Sequence, residues 1–193
     1  YNTVTSELYD GKKGIKVIPC YYKKDYPEWS DRGDGPGAPV AVHLPNSPVI
    51  ATGKRDGSKI RLPNGNYLEE TASYYVMIET KTGGYTPALI TMKSTQLNVS
   101  KKWNSMMKTI QIPDGKGGFA IPPMHGVVYN LASTLQKNDK GSWYGWVVTQ
   151  DRILGQTDKA LYLSAKDFSG NVSKGNVQTK ADVEEKAKDS TPY

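Results

Sequence analysis

A mainly β fold with a small helical share, an α+β domain, is what this sequence predicts, and three observations carry the prediction. Strand-like runs outnumber helix-like ones. Turn signals of Gly, Pro, Asn and Asp separate them at short intervals. The apolar pattern changes to a helical period at two places, within Thr95–Ile110 and Asp158–Val172. The 193 residues fit one domain with short extensions.

Residues 1–13 are polar and read as an N-terminal arm, residues 14–175 as the domain and residues 176–193 as a polar C-terminal tail. Gly14–Lys24 opens the domain as a strand, with Ile15, Val17, Ile18, Tyr21 and Tyr22. Tyr26–Pro39, dense in Gly, Pro and Asp, reads as a loop. Val40–His43 reads as a short strand. Residues 44–66 are again turn-rich, with Pro45, Pro48, Gly53, Gly57, Pro63 and Gly65, and Lys54, Arg55, Lys59 and Arg61 punctuate them.

A hairpin follows. Ala72–Thr80 alternates Tyr74, Val76 and Ile78 on one face with Tyr75 and Met77 on the other. Thr82–Gly84 turns the chain and Tyr85–Lys93 returns it, with Pro87 acceptable near a strand start or on an edge. Within Thr95–Ile110, Leu97, Trp103, Met106, Met107 and Ile110 recur at helical spacing, with Ser94 or Thr95 as N-cap. That spacing places Trp103 in the core. Gly126–Leu135 and Trp143–Gln150 form a second hairpin about Asn138–Gly141, and Asp158–Val172 adds a last helix with Leu161, Leu163, Ala165 and Phe168. Three strands, a helix, two strands and an added helix is the chain order of an OB-fold-like five-stranded antiparallel barrel with a helix between strands 3 and 4. A helix-covered antiparallel sheet of another topology gives the same string.

The chemistry of an enzyme leaves no signature here, so a non-enzymatic protein without cofactor or metal is expected. His43 and His125 lack a second ligand at metal-binding spacing, and Cys20 is the single cysteine. Cys20 lies in an apolar run and reads as a buried, inert thiol. Gly33–Gly37 is glycine-rich, but prolines flank it and no helix follows, so it reads as a flexible loop and not a phosphate cradle. Glu69 and Glu70 are adjacent and point to opposite sides of a strand. Glu28, Asp31 and Asp34 read as solvated, and Arg32–Asp34 as a chance triplet. No run approaches the ~20 apolar residues that span a bilayer, and no signal peptide is visible. A chain that opens on Tyr1 and not on Met is expected to lack its natural start.

Binding signals are stronger. The net charge is +6 and the aromatics are skewed to Tyr (13) and Trp (4) over Phe (2). Positive charge favours polyanions, and Tyr and Trp favour half-wet contact sites. Single-strand binders combine a basic groove with aromatic platforms, and this chain interleaves the two residue types. Tyr21, Tyr22, Lys23 and Lys24 lead to Tyr26, Trp29 and Arg32. Lys101 and Lys102 precede Trp103, and Lys137, Lys140, Trp143, Tyr144 and Trp146 surround the second hairpin. Tyr144 and Trp146 share one face of a strand and Trp143 takes the other, so one or two of these rings at most can serve a ligand.

GIKVIPCYYKKDYPEWSDRGDGPGAPV, LPNGNYLEETASYYV, TPALITMKSTQLNVSKKWNSMM and NDKGSWYGW together resemble a family of bacteriophage single-stranded DNA-binding proteins, over about residues 14–170. The blocks Ser94–Trp103 and Asn138–Trp146 are its most distinctive parts. The resemblance implies an OB-fold protein that coats single-stranded DNA, with little sequence preference, during phage DNA replication or recombination in the cytoplasm of the infected bacterial host. It implies single-stranded DNA as partner, phage replication or recombination proteins beside it, no membrane, and room for a homo-oligomer. The expected nucleic-acid contacts are Tyr21, Tyr22, Lys23, Lys24, Trp29 and Arg32 along the first strand and its flap, with Tyr75, Lys101, Lys102, Tyr144 and Trp146. Many phage proteins of that class end in a strongly acidic tail. Here Asp182, Glu184, Glu185 and Asp189 are mixed with Lys180, Lys186 and Lys188, so the tail is only weakly acidic and departs from that pattern. The alternative is a virion structural or adaptor protein that uses the same aromatics for protein contacts.

Overall fold

One strand, β1 (Ile15–Trp29), organises the molecule. In this computed structural model, which describes residues 6–31, 38–139 and 141–177, every other strand of the main sheet connects to β1 directly or through one or two intervening strands, and one small hairpin stands apart. The strands that follow are β2 (Ala41–His43), β3 (Lys54–Asp56), β4 (Lys59–Arg61), β5 (Tyr67–Glu69), β6 (Thr71–Glu79) and β7 (Tyr85–Lys93). Then come β8 (Ile112–Pro113), β9 (Phe119–Ala120), β10 (Val127–Asn138) and β11 (Gly141–Ile153). The helices are α1 (Pro48–Thr52), α2 (Leu97–Thr109) and α3 (Lys159–Ser173).

The fold is mainly β, a curled antiparallel sheet of half-barrel form with a few helices. Its larger part runs β7-β6-β1-β10-β11, with α2 between the third and fourth of these strands in chain order. A closed five-stranded barrel needs β7 to pair with β11, and among the described residues that ladder is absent. Instead α2 packs against β6, β7 and β11. Gln96, at the helix start, accepts a hydrogen bond from the backbone N–H of Trp146 on the free edge of β11, at 2.9 Å. Gly145 makes this approach possible: a Cβ there would sit 2.5 Å from the Gln136 amide and 2.8 Å from that of Gln96.

Helices cover both faces of the larger sheet, which is why eight of the nine residues of β6 are buried. On the inner face, Trp103 of α2 is fully buried, stacked on Tyr74 with ring centroids 4.3 Å apart and edge-on to Tyr129 at 5.6 Å. The Tyr74 hydroxyl donates to the Ser100 carbonyl at 3.0 Å, so the largest core contact carries a satisfied polar handle. On the outer face, Ala165 and Phe168 of α3 pack on Ile18, Cys20, Met77 and Val128. The Ser169 hydroxyl there donates to the Cys20 carbonyl at 2.6 Å.

Beyond Asp25, β1 leaves the larger sheet and pairs with β2 and β5, starting a ribbon β5-β4-β3. Its own small core is Tyr26, Ile60, Leu62 and Leu68, roofed by Val49 and Ile50 of α1. Three expectations are corrected here. The segment from Tyr26 to Trp29 is strand and not loop, because Tyr26, Pro27 and Glu28 find partners in His43, Val42 and Ala41. Residues 44–66 hold α1, β3 and β4 and are not turns alone. The cap of α2 is Gln96 and not Ser94 or Thr95, and its side chain serves β11 in place of its own helix. The central hairpin, the core role of Trp103 and the two longer helices fall where periodicity put them.

Candidate functional site

The face of β1 that carries Tyr21 also carries Lys23, Asp25, Pro27 and Trp29, since alternate residues share a face. Cross-strand pairing extends it in rows: Tyr21, Tyr75 and Leu89; Lys23, Ser73 and Thr91; Asp25, Thr71 and Lys93. At the end of β1 the row passes from Trp29 to Tyr67, then to Arg61 and Lys54 on the ribbon. On the other side Pro27 meets Val42. α3 covers the start of this face around Ile18 and Cys20. Leu89, Thr91 and Lys93 are exposed, and Trp29 and Tyr67 are half-buried.

Cations bracket the two rings. The Lys93 ammonium lies 6.0 Å from the Trp29 ring centroid, and that of Lys59 lies 3.6 Å from the Tyr67 centroid, with the Arg61 guanidinium at 5.4 Å. Carboxylates temper the charge. Lys93 pairs with Glu69 at 2.9 Å, Lys23 with Asp25 at 3.2 Å, and Arg61 with Asp31 at 3.2 Å and Asp56 at 3.5 Å. The Asp31 carboxylate, with Asp56 behind it, raises the pKa of Arg61. Lys54 and Lys59 have no ion-pair partner among the described residues.

Behind this face a buried polar network pins the ribbon to β1. Glu28 accepts from the Asn66 amide at 2.6 Å and the Asn64 amide at 3.2 Å, and meets His43 Nε2 at 2.7 Å. The Asn66 amide, then His43 and Asn64, hold the Glu28 carboxyl below its ordinary pKa, against the effect of burial. Ser47 Oγ lies 3.5 Å from His43 Nδ1.

The residues expected to form one contact surface are divided by the sheet. Tyr21, Lys23 and Trp29 lie on the outer face. Tyr75 lies there too but is only 7% exposed, edge-on to Tyr21 at 6.1 Å, and presents no free ring face. Tyr22 turns the other way and packs on Tyr74 at 5.0 Å, as part of the inner core. Lys24 also points inward and pairs with Glu70 at 2.7 Å, which raises its pKa. Lys101 and Lys102 are exposed on α2, across the sheet from Trp29. Trp146 packs against the inner core while Tyr144 is 71% exposed. Trp143 helps line a shallow recess with Thr95, Asn138 and Ser142. Arg32 and Lys140 lie outside the described residues.

Tyr67, Lys59, Arg61, Lys54 and Lys93 join the face without having been expected there. A signal for them existed. Asn64-Gly65 is a hairpin turn, with Gly65 at φ 89°, and it joins Lys59-Ile60-Arg61 to Tyr67-Leu68-Glu69, two alternating triplets with their polar members on one side. Among the described residues no group of three or more His, Cys, Asp or Glu side chains is placed to hold a metal ion, and no helix is long and apolar enough to cross a membrane.

The sequence model of a family described as Pam3 phage gp34-like protein matches residues 1–178 of the chain. No curated protein and no solved structure matches it.

Proposed function

We propose, for a chain that belongs to the Pam3 phage gp34-like protein family, that it binds single-stranded DNA along the outer face of β1, without catalysis and with little sequence preference. The observation that carries this is the half-buried Trp29 ring on the outer sheet face, in register with Tyr67, with Lys93 beside it and Lys59 and Arg61 held over and beside Tyr67. Rings stack on bases of any identity and cations neutralise phosphates, and together these make a sequence-tolerant site. The half-barrel form of the sheet supports the same reading, since its strand order is consistent with an OB-like fold left open between β7 and β11. In that role the protein acts in phage DNA replication or recombination, in the cytoplasm of the infected host.

Tryptophan fluorescence titration with oligo-dT at low salt tests it. Quenching that saturates, weakens steeply as salt is added, and is far weaker with duplex DNA is the expected result. Absence of both quenching and a change in oligonucleotide anisotropy at low salt overturns it. A second reading, a virion structural or adaptor protein, is favoured by Phe119 and Ile121, which are 71% and 58% exposed at and just beyond the β8–β9 hairpin. Its signature is a fixed oligomer without DNA, indifferent to salt.

A further inference from the structure

The outer face of the small sheet changes character from one edge to the other. At one edge stand Val40, Val42 and Leu44, which are 56%, 52% and 66% exposed. Val42 shares its face with Pro27, and Trp29 and Tyr67 come next. At the far edge are Arg61, Lys59 and Lys54. Asp56 and Glu69 stand in register with Lys59, and Arg61 is already paired with Asp31 and Asp56, so Lys54 and Lys59 are the cations there without an ion pair among the described residues. Strand spacing of about 4.8 Å puts the Trp29 row about 10 Å from the Lys59 and Arg61 row, roughly the breadth of one nucleotide.

Two details set the far edge apart as an anion site. Lys54 lies directly across from Arg61, and like charges in register on a ribbon weaken it. Lys59 covers a face of Tyr67, so that face is closed to a stacking base while its ammonium stays available to a phosphate. The opposite face of the ribbon is different in kind: Arg55 is paired with Ile60, whose side chain belongs to the small core.

We infer that bound single-stranded DNA runs along this sheet with a fixed sidedness, its bases over Trp29 towards Val42 and Leu44 and its phosphates over Lys54, Lys59 and Arg61. This rests on the single-strand reading above and adds to it the orientation of the strand and a phosphate rail on β3 and β4. The occupant follows from charge complementarity along one edge and apolar surface along the other, which a single strand presents side by side and a duplex does not.

The test is a salt series of fluorescence anisotropy titrations, with oligo-dT and with an abasic deoxyribose-phosphate oligomer of the same length. Lys54→Gln with Lys59→Gln removes two phosphate contacts and lowers the slope of log K against log salt by about 1.4, at about 0.7 per single-strand phosphate. It does so for both oligomers. Val42→Ser with Leu44→Ser weakens oligo-dT binding several-fold, leaves the slope unchanged and does not alter binding of the abasic oligomer. Arg55→Gln, facing away, keeps the wild-type slope. Circular dichroism checks that each variant is folded. A wild-type slope in the lysine variant, or a slope in Arg55→Gln or the Val42/Leu44 variant that falls as far as expected for the lysines, overturns the sidedness while leaving single-strand binding in place. Absence of wild-type binding to oligo-dT refutes the single-strand reading, and the orientation with it, whereas binding to oligo-dT without any to the abasic oligomer overturns the phosphate rail alone.

Discussion

Replacing Trp29 by alanine separates a ligand platform from a structural ring. Trp29 is half-buried at the end of β1, opposite Tyr67, with the Lys93 ammonium 6.0 Å from its ring. Its indole N–H is buried and has no hydrogen-bond partner among the described residues, so truncation breaks no such bond in the fold. Loss of a half-covered side chain costs about 1–2 kcal/mol of stability, whereas Trp103→Ala, which empties the middle of the inner core, costs about 3–5 kcal/mol. Stacking on one base is worth about 1–3 kcal/mol, so Trp29→Ala weakens oligo-dT binding by about 5- to 160-fold. Trp29→Phe keeps a ring and stays within a few-fold of wild type. Because the ring neutralises no phosphate, the salt slope does not change in either variant. Tyr22→Ala is the counterpart: its ring packs on Tyr74 in the inner core, so it lowers the melting temperature more than the affinity. The assay is anisotropy of a labelled oligo-dT, run beside thermal unfolding of each variant. A folded Trp29→Ala protein that binds within twofold of wild type refutes the reasoning, and so does a Tyr22→Ala protein of unchanged stability and much reduced affinity.

Acid titration probes the network behind the face. The lowered carboxyl of Glu28 contributes stability that is fully present above its ordinary value of 4.5 and is lost as pH falls through the lower folded value. Glu28→Gln therefore flattens the acid limb of a plot of melting temperature against pH below about 4.5, and parallel limbs for wild type and variant speak against this. Gln96→Ala leaves the Trp146 N–H without its acceptor at a partly buried seam and costs about 1–3 kcal/mol in urea unfolding; no loss means that the seam is held by packing alone. Burial pushes the Cys20 thiol up to about 12, and Cys20 is 3% exposed, so a thiol reagent reacts with it only after denaturation; fast reaction in the native protein contradicts that.

Much of the fold was legible because its signals are local. The turn at Thr82–Gly84 with its flanking alternation placed β6 and β7, and the spacing of Trp103 to Met106, Met107 and Ile110 placed the inner face of α2. The facing of the aromatic pair on β1 was not legible, and the reason is a single irregularity. Val17 faces inward, and strict alternation from it would bring Tyr21 inward and Tyr22 outward. The register shift between Pro19 and Tyr21 reverses this, so Tyr22 meets Tyr74 and Tyr21 joins the outer face. Composition hid the rest of β1. Pro27 beside Glu28 and ahead of a Gly-rich stretch reads as loop, and only the long-range partners in β2 and β5 make it strand. The unpaired seam between β7 and β11 is another long-range choice, made by a glutamine and a glycine that no periodicity marks.

What the outer face leaves unsatisfied bears on function more than its charge does. A sequence selected for stability alone would replace Val42 and Leu44 at an exposed edge and avoid Lys54 opposite Arg61. Elsewhere the chain does satisfy such groups: α3 covers the start of this face, Gln96 occupies the edge of β11, and Glu28 has three partners in the ribbon's interior. Local rules are broken together where β1 passes from one part of the sheet to the other, and concentrated violations of that kind are expected where a surface is kept for a partner. The N-terminal part of β1 is committed to the core on both sides, while its C-terminal part is roofed by α1 on one side and carries the half-buried Pro27 and Trp29 on the other. A face anchored in this way holds its rings and cations in place before any ligand arrives, which lowers the ordering cost of binding.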